Sequence, residues 1–110
     1  MAVGDTAAAL IEFELAVESS PTEPVPRVFW GFVLYRLDRY TEAIETLESA
    51  LNLDPYWSEP HYVMGLAFEA LGDAERAVVS YMTFAALAKE TDQRQAAVAQ
   101  KLERLKRPKP

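Results

Sequence analysis

Cysteine is absent from this chain of 110 residues, so it can form neither a disulfide framework nor a thiolate metal site. Nothing about redox compartment follows from that. Histidine occurs once, at position 61. Positive charge is short: 11 Lys and Arg stand against 17 Asp and Glu, a net charge of −6. This argues against a nucleic-acid partner, for which a basic face supplies most of the affinity. Long apolar runs are missing as well, and no stretch is long enough to span a membrane. The opening Met1-Ala2-Val3-Gly4-Asp5 lacks the basic region of a signal peptide, and Glu12 and Glu14 interrupt the apolar stretch after it. A cytoplasmic protein is expected, either whole or excised from a longer one. No Gly-rich phosphate loop, nucleophile elbow or metal-ligand spacing occurs. No catalytic residue, metal or cofactor is therefore expected, and the chain reads as a non-enzyme.

Glycine is also scarce, and the positions of its four copies are informative. Gly31 and Gly65 are thirty-four residues apart, and Gly4-Asp5 matches Gly72-Asp73 at twice that step. Ala43 recurs as Ala77, Leu47 as Tyr81 and Pro26 as Pro60. Stepping backwards, Ala43 maps to Ala9, Leu47 to Phe13, Ala50 to Ala16 and Pro55 to Pro21. A fixed period of this length marks a repeat architecture. Such a stack makes an extended surface for holding another chain rather than a pocket for chemistry.

Local signals predict helices throughout. Residues 5–19 mix Ala, Leu, Ile and Phe with Glu12, Glu14 and Glu18. Pro21 and Pro24 stop that helix, and Pro26 falls in the first turn of the next, where its missing N–H costs nothing. Residues 28–35, Val-Phe-Trp-Gly-Phe-Val-Leu-Tyr, read alone as a strand. Their counterpart at 62–69 lies in a good helix former, so the repeat makes 25–37 a helix. Thr41–Leu53 carries Ala43, Ile44, Leu47, Ala50 and Leu51 on one face. Ser58 is expected to cap a helix with Pro60 just inside it, Asp73 to cap 74–89, and Thr91 or Asp92 to cap the last. Arg107-Pro108-Lys109-Pro110 is expected to be a frayed tail.

These residues resemble the tetratricopeptide repeat family, in which small residues on paired helices let each hairpin close tightly. One repeat, 24–57, supplies Gly31, Ala43, Leu47, Ala50 and Pro55; a second, 58–91, supplies Gly65, Phe68, Gly72, Ala77 and Tyr81. The aromatic that the family carries early in the first helix is Arg27 in one repeat and His61 in the other, while Ala50 becomes Phe84 and Pro55 becomes Lys89. The resemblance implies an all-α, antiparallel helix-hairpin solenoid of about six helices, a single domain over 1–110. Half-repeats are expected at both ends: 5–19 as a second helix without its first, opening in a repeat turn at Gly4-Asp5, and 92–107 as a capping first helix without its second. The cap carries Arg94, Lys101, Arg104 and Lys106, read as a solvating surface with cations favoured by the helix dipole, or alternatively as a site for an acidic partner.

The resemblance also implies a groove lined by first helices. Its positions here are Val25, Val28, Phe29, Phe32, Tyr35 and Arg36, then Glu59, Tyr62, Val63, Leu66 and Glu69, then Gln93, Ala96, Gln100 and Glu103. Family members that hold acidic chaperone tails use Lys, Arg and Asn there. The matching Val28, Phe32, Val63, Gln93 and Ala97 offer no such clamp. An apolar or amphipathic peptide or helix is the expected ligand, on Val28, Phe32, Tyr35, Arg36, Glu59, Tyr62, Leu66 and Glu69. Phe29 is expected to be buried, and Trp57 to be partly exposed in the inter-repeat turn. Two alternatives stand beside this protein-interaction scaffold. One is a homo-oligomer assembled through Leu10, Phe13 and Val17. The other is a small chaperone masking an apolar client helix.

Overall fold

A computed structural model describes residues 3–107, with side chains from residue 7. Six helices follow in order: α1 Val3–Ser19, α2 Pro24–Arg36, α3 Tyr40–Leu53, α4 Ser58–Ala70, α5 Ala74–Leu87 and α6 Arg94–Lys106. No strand occurs among the described residues. Pro108 to Pro110, most of the expected tail, lie outside the described residues. The β-branched run at 28–35 is helical throughout, because tertiary packing overrides a weak local preference. Helix α1 already runs at Val3, so Gly4-Asp5 sit in a helix and not in the expected turn.

The hairpins α2–α3 and α4–α5 carry the most extensive packing, and α3 on α4 joins them. The repeated glycines explain the closeness. A Cβ at Gly31 would lie 2.6 Å from Leu47 Cγ, and one at Gly65 would lie 2.6 Å from Tyr81 Cδ1. Leu47, Tyr81, Ala43, Ala50, Ala77 and Phe84 are all fully buried around these approaches. Two core clusters result. One centres on Leu47, Val63 and Ala67, the other on Tyr81, Phe84 and Val98.

Both hairpin turns use one device. Asp38 and Gly72, equivalent in the repeat, take left-handed φ of 62° and 78°. The Arg39 N–H reaches back to the Leu34 carbonyl and the Asp73 N–H to the Phe68 carbonyl, each at 2.9 Å. This is a Schellman closure that satisfies carbonyls at the helix end.

The expected caps fare differently. Asp73 does cap α5, accepting from the Arg76 N–H at 3.1 Å. Ser58 does not cap: it is the first residue of α4, and Trp57 holds the cap position without a side-chain bond. At α6 the cap position is Gln93, while Asp92 Oδ1 accepts from the Arg94 N–H at 2.9 Å and so serves that end. Arg27, where an aromatic was expected, donates to Ser49 Oγ and to the Pro21 carbonyl, both at 3.1 Å. It ties α2 to α3 and to the preceding loop.

Gly65→Ala is predicted to destabilise the chain by about 1–3 kcal/mol, since overpacking against an immobile buried ring outweighs the roughly 1 kcal/mol gained in helix propensity. Urea unfolding measures it, and an unchanged midpoint would show that the hairpin spacing does not depend on the missing methyl.

Candidate functional site

The furrow between α2 and α4 holds the clearest apolar depression, a pocket of about 420 Å³ lined by Val28, Phe29, Phe32, Trp57, Glu59 and Val63. Val28 and Val63 are buried and form its floor. Phe29 and Phe32 rise from one side, 55% and 40% exposed. They belong to α2 one turn apart, which places both rings on one face. Phe29 is thus a displayed side chain and not a buried one; only one side is covered, by Phe13 of α1, with ring centroids 6.5 Å apart and planes within 6°. Burial of Phe29 was expected under the N-terminal helix or against a second copy, but α1 covers only part of it. Trp57 was expected only as a partly exposed turn residue. Half-buried against the α3–α4 core, it walls the pocket. Its place just before Pro60 and the α4 start is the sequence signal that could have found it.

The eight expected groove residues do not form one site. Val28, Phe32 and Glu59 line this pocket. Tyr35, Leu66 and Glu69 line a second depression of about 230 Å³, with Ala70 and Lys101. Arg36 is exposed and lines neither. Tyr62 is half-buried and lines neither depression: its ring meets Tyr81 at 6.3 Å and Phe84 at 5.4 Å, and Arg94 lies over it at 5.3 Å. It belongs to the core wall. On α1, Leu10, Phe13 and Val17 are half-buried, and the large apolar side chains exposed among the described residues are Ile11 and Leu15.

The acidic residues of the groove are already paired. Glu59 pairs with Arg94, which also holds Asp92 at 2.9 Å. Glu69 accepts from Arg104 at 2.7 Å and from the Tyr81 hydroxyl at 2.9 Å, with Lys101 at 3.9 Å. Glu59 and Glu69 lie ten residues apart on α4, as Arg94 and Arg104 do on α6, so two matched ion pairs strap one helix to the other. Of the cap's basic cluster, Arg94, Lys101 and Arg104 are thus engaged by α4 carboxylates, while Lys106 is exposed and has no ion pair among the described residues. At the far end Gln95 donates its amide to the Ala85 carbonyl at 3.1 Å, closing the end of α5.

The charges shift accordingly. Burial acts to raise Glu69, yet hydrogen bonds from Arg104 and Tyr81 and the nearby cations hold its carboxyl below the ordinary range. Burial, then the Glu69 carboxylate, push the Tyr81 hydroxyl far above its usual value. Hydrogen bonds from the Arg94 side chain and backbone bring Asp92 down to about 2. His61 is lowered by burial, partly offset by the Pro55 carbonyl, and its Nε2 is buried without a partner. It packs at the start of α4 and faces no nucleophile or paired carboxylate. Among the described residues no group of three His, Asp or Glu gathers in metal-binding geometry, and no helix is long and apolar enough to cross a membrane.

Helical hairpins stacked in series, with an aromatic furrow between their first helices, define a helical-repeat solenoid. Residues 31–56 match the model of the tetratricopeptide repeat, and the chain has the fold of a tetratricopeptide-repeat domain. It is similar to PcrH in complex with the chaperone binding region of PopD, with a TM-score of 0.85 and 17% identity over 93% of this chain and 79% of that one. The first repeat domain of Spaghetti (RPAP3), bound to the HSP90 peptide SRMEEVD, gives 0.82 and 20% over 93% and 78%. The corresponding human RPAP3 domain gives 0.78 and 19% over 93% and 83%. No curated protein sequence matches the chain.

Two predictions follow from the charges. Arg94→Ala, which loses packing over Tyr62 and Phe84 as well as two ion pairs, should cost about 1–2 kcal/mol, and Arg104→Ala under about 1 kcal/mol because that side chain is largely exposed. Chemical denaturation of both variants checks the order; equal costs would mean that the aromatic stacking contributes nothing. For His61, the folded chain binds the proton less readily than the unfolded one. Stability is thus complete above about pH 6.5 and is lost as pH falls through the lowered folded value. His61→Gln should flatten that acid-side slope in urea midpoints, and a slope identical to wild type would assign it to the carboxylates.

Proposed function

We propose that this chain is a non-enzymatic protein-interaction module that holds an apolar or amphipathic segment of another protein in the α2–α4 furrow. The observation that carries this is the pair Phe29 and Phe32, displayed over a floor of Val28 and Val63 with Trp57 as a wall. Exposed aromatic rings beside a preformed pocket are the usual anchors of a tight interface, because little ordering entropy is lost on binding. The fold neighbours support a peptide ligand, since PcrH was solved with a region of PopD and the Spaghetti domain with an HSP90 peptide. Between the two, an acidic tail such as SRMEEVD is the poorer match. Val28, Phe32 and Val63 stand where cations would be needed, and Arg94 and Arg104 are occupied by Glu59 and Glu69.

The ligand is therefore read by shape and apolar anchors, with side chains spaced to enter the pocket and to lie along Tyr35 and Leu66. A basic anchor is not favoured, because both rim glutamates already hold arginines. Selection from a displayed random-peptide library tests this. The wild-type chain should enrich peptides with two or more large apolar residues. Phe32→Glu and Phe29→Glu should weaken those peptides at least tenfold, about 1.4 kcal/mol, while the thermal melt stays near wild type. Retained binding in both variants would move the site out of the furrow.

A further inference from the structure

We infer that copies of this chain associate head to tail, with α6 of one copy and α1 of the next closing the hairpin that each end leaves open. The case starts from burial at equivalent positions of the repeat. In α3 and α5 the positions Ala43 and Ala77, Leu47 and Tyr81, and Ala50 and Phe84 are fully buried, because each helix has its own first helix against it. In α1 the same positions are Ala9, Phe13 and Ala16, and all three are only half-buried. Among the described residues helix α1 packs on α2 and on no other helix. What it lacks is the neighbour that α2 supplies to α3.

The other end shows the complementary gap. The glycines that receive Leu47 and Tyr81 are buried at positions 31 and 65. One period further on, the position is Ala99 on α6, and it is exposed, as is Ala96 one turn before it. Helix α6 packs on α5 and is strapped to α4 by ion pairs, but among the described residues its outer face has no helix against it. One end therefore presents the large side chain of the closure without its small partner, and the other presents the small partner without the large side chain. Within a single chain these ends cannot meet, since they lie at opposite ends of a molecule 46 Å long.

Charge selects a second copy as the occupant. Residues 1–23 contain Asp5, Glu12, Glu14, Glu18 and Glu23 and no Lys or Arg, whereas residues 89–110 carry seven Lys or Arg against three Asp or Glu. Arg94, Lys101 and Arg104 are engaged by α4, but Lys89 and Lys106 are exposed with no ion pair among the described residues. Two acidic N-terminal ends would repel each other, while an acidic end and a basic end attract. The contact is heterologous, so it propagates as an open array unless the rotation closes a ring. Ala99 carries one methyl more than the glycines it matches. This joint therefore sits wider than an internal hairpin, and the association depends on concentration.

Size-exclusion chromatography with light scattering tests this on the full chain, from micromolar to millimolar concentration, at low and high salt. The wild type should rise above its 12.3 kDa monomer mass with concentration, and less so at high salt. Ala99→Arg, at an exposed site, blocks the α6 face. Phe13→Glu, with Ala9→Arg as a second variant should the first lose its helicity, blocks the α1 face. Each should be monomeric alone. An equimolar mixture should form a species of twice the chain mass and no larger, because one good face remains on each partner. A wild type that stays monomeric throughout overturns the inference. So does an oligomer that survives Ala99→Arg, which would be a symmetric α1 contact, or a mixture that stays monomeric.

Discussion

Everything in this molecule hangs on two places where a helix backbone comes within a side chain's thickness of its partner. Gly31 receives Leu47 and Gly65 receives Tyr81, and no room remains for a methyl group at either. That closeness fixes the spacing of each hairpin. The spacing in turn sets the angle at which α2 and α4 face one another, and hence the width of the furrow between them. The pocket is therefore a by-product of the same packing that buries the core, and its floor residues, Val28 and Val63, are core residues seen from outside.

The charged straps between α4 and α6 do a different job. They neutralise the acidic rim and fix the last helix where purely apolar packing is thinner, through Val98 and its neighbours. Arg94 combines this with stacking over Tyr62 and Phe84, within 5.3 and 5.1 Å of the ring centres. A rim that looks acidic by composition is thereby largely neutralised.

Most of the architecture was legible in the sequence, because a repeat states each structural decision twice. Gly31 with Gly65 and Ala43 with Ala77 gave the hairpins, and the period overruled the strand-like run at 28–35. Less was legible where one side chain's fate depends on its neighbours. Phe29 was assigned to the interior and is displayed, since how far α1 covers α2 is not written in either helix alone. Tyr62 was assigned to the groove and is half-buried, its ring against Tyr81 and Phe84. Glu59 and Glu69 were placed in the groove without their partners, because pairing across thirty-five residues leaves no local trace, although their shared offset to Arg94 and Arg104 could have suggested it. Ser58 failed as a cap for a simpler reason: helix α4 begins at that residue instead of after it.

The single attachment of α1 has a kinetic side. In a linear stack each element is held by its neighbours, and an end element with one neighbour opens at the lowest cost. Among the described residues helix α1 touches only α2, and its last turn carries Glu18 with no basic residue to complement the helix dipole. Helix α6 is the better anchored terminus, with α5 beneath it and salt links from Arg94, Lys101 and Arg104 to α4. The two ends of the stack thus differ in how readily they come apart, and the molecule has a built-in order of unzipping. Amide exchange would run fastest along α1 and slow toward α3, α4 and α5. The first surface bared by that fraying is the face of Phe29 that Phe13 covers, at the very edge of the furrow.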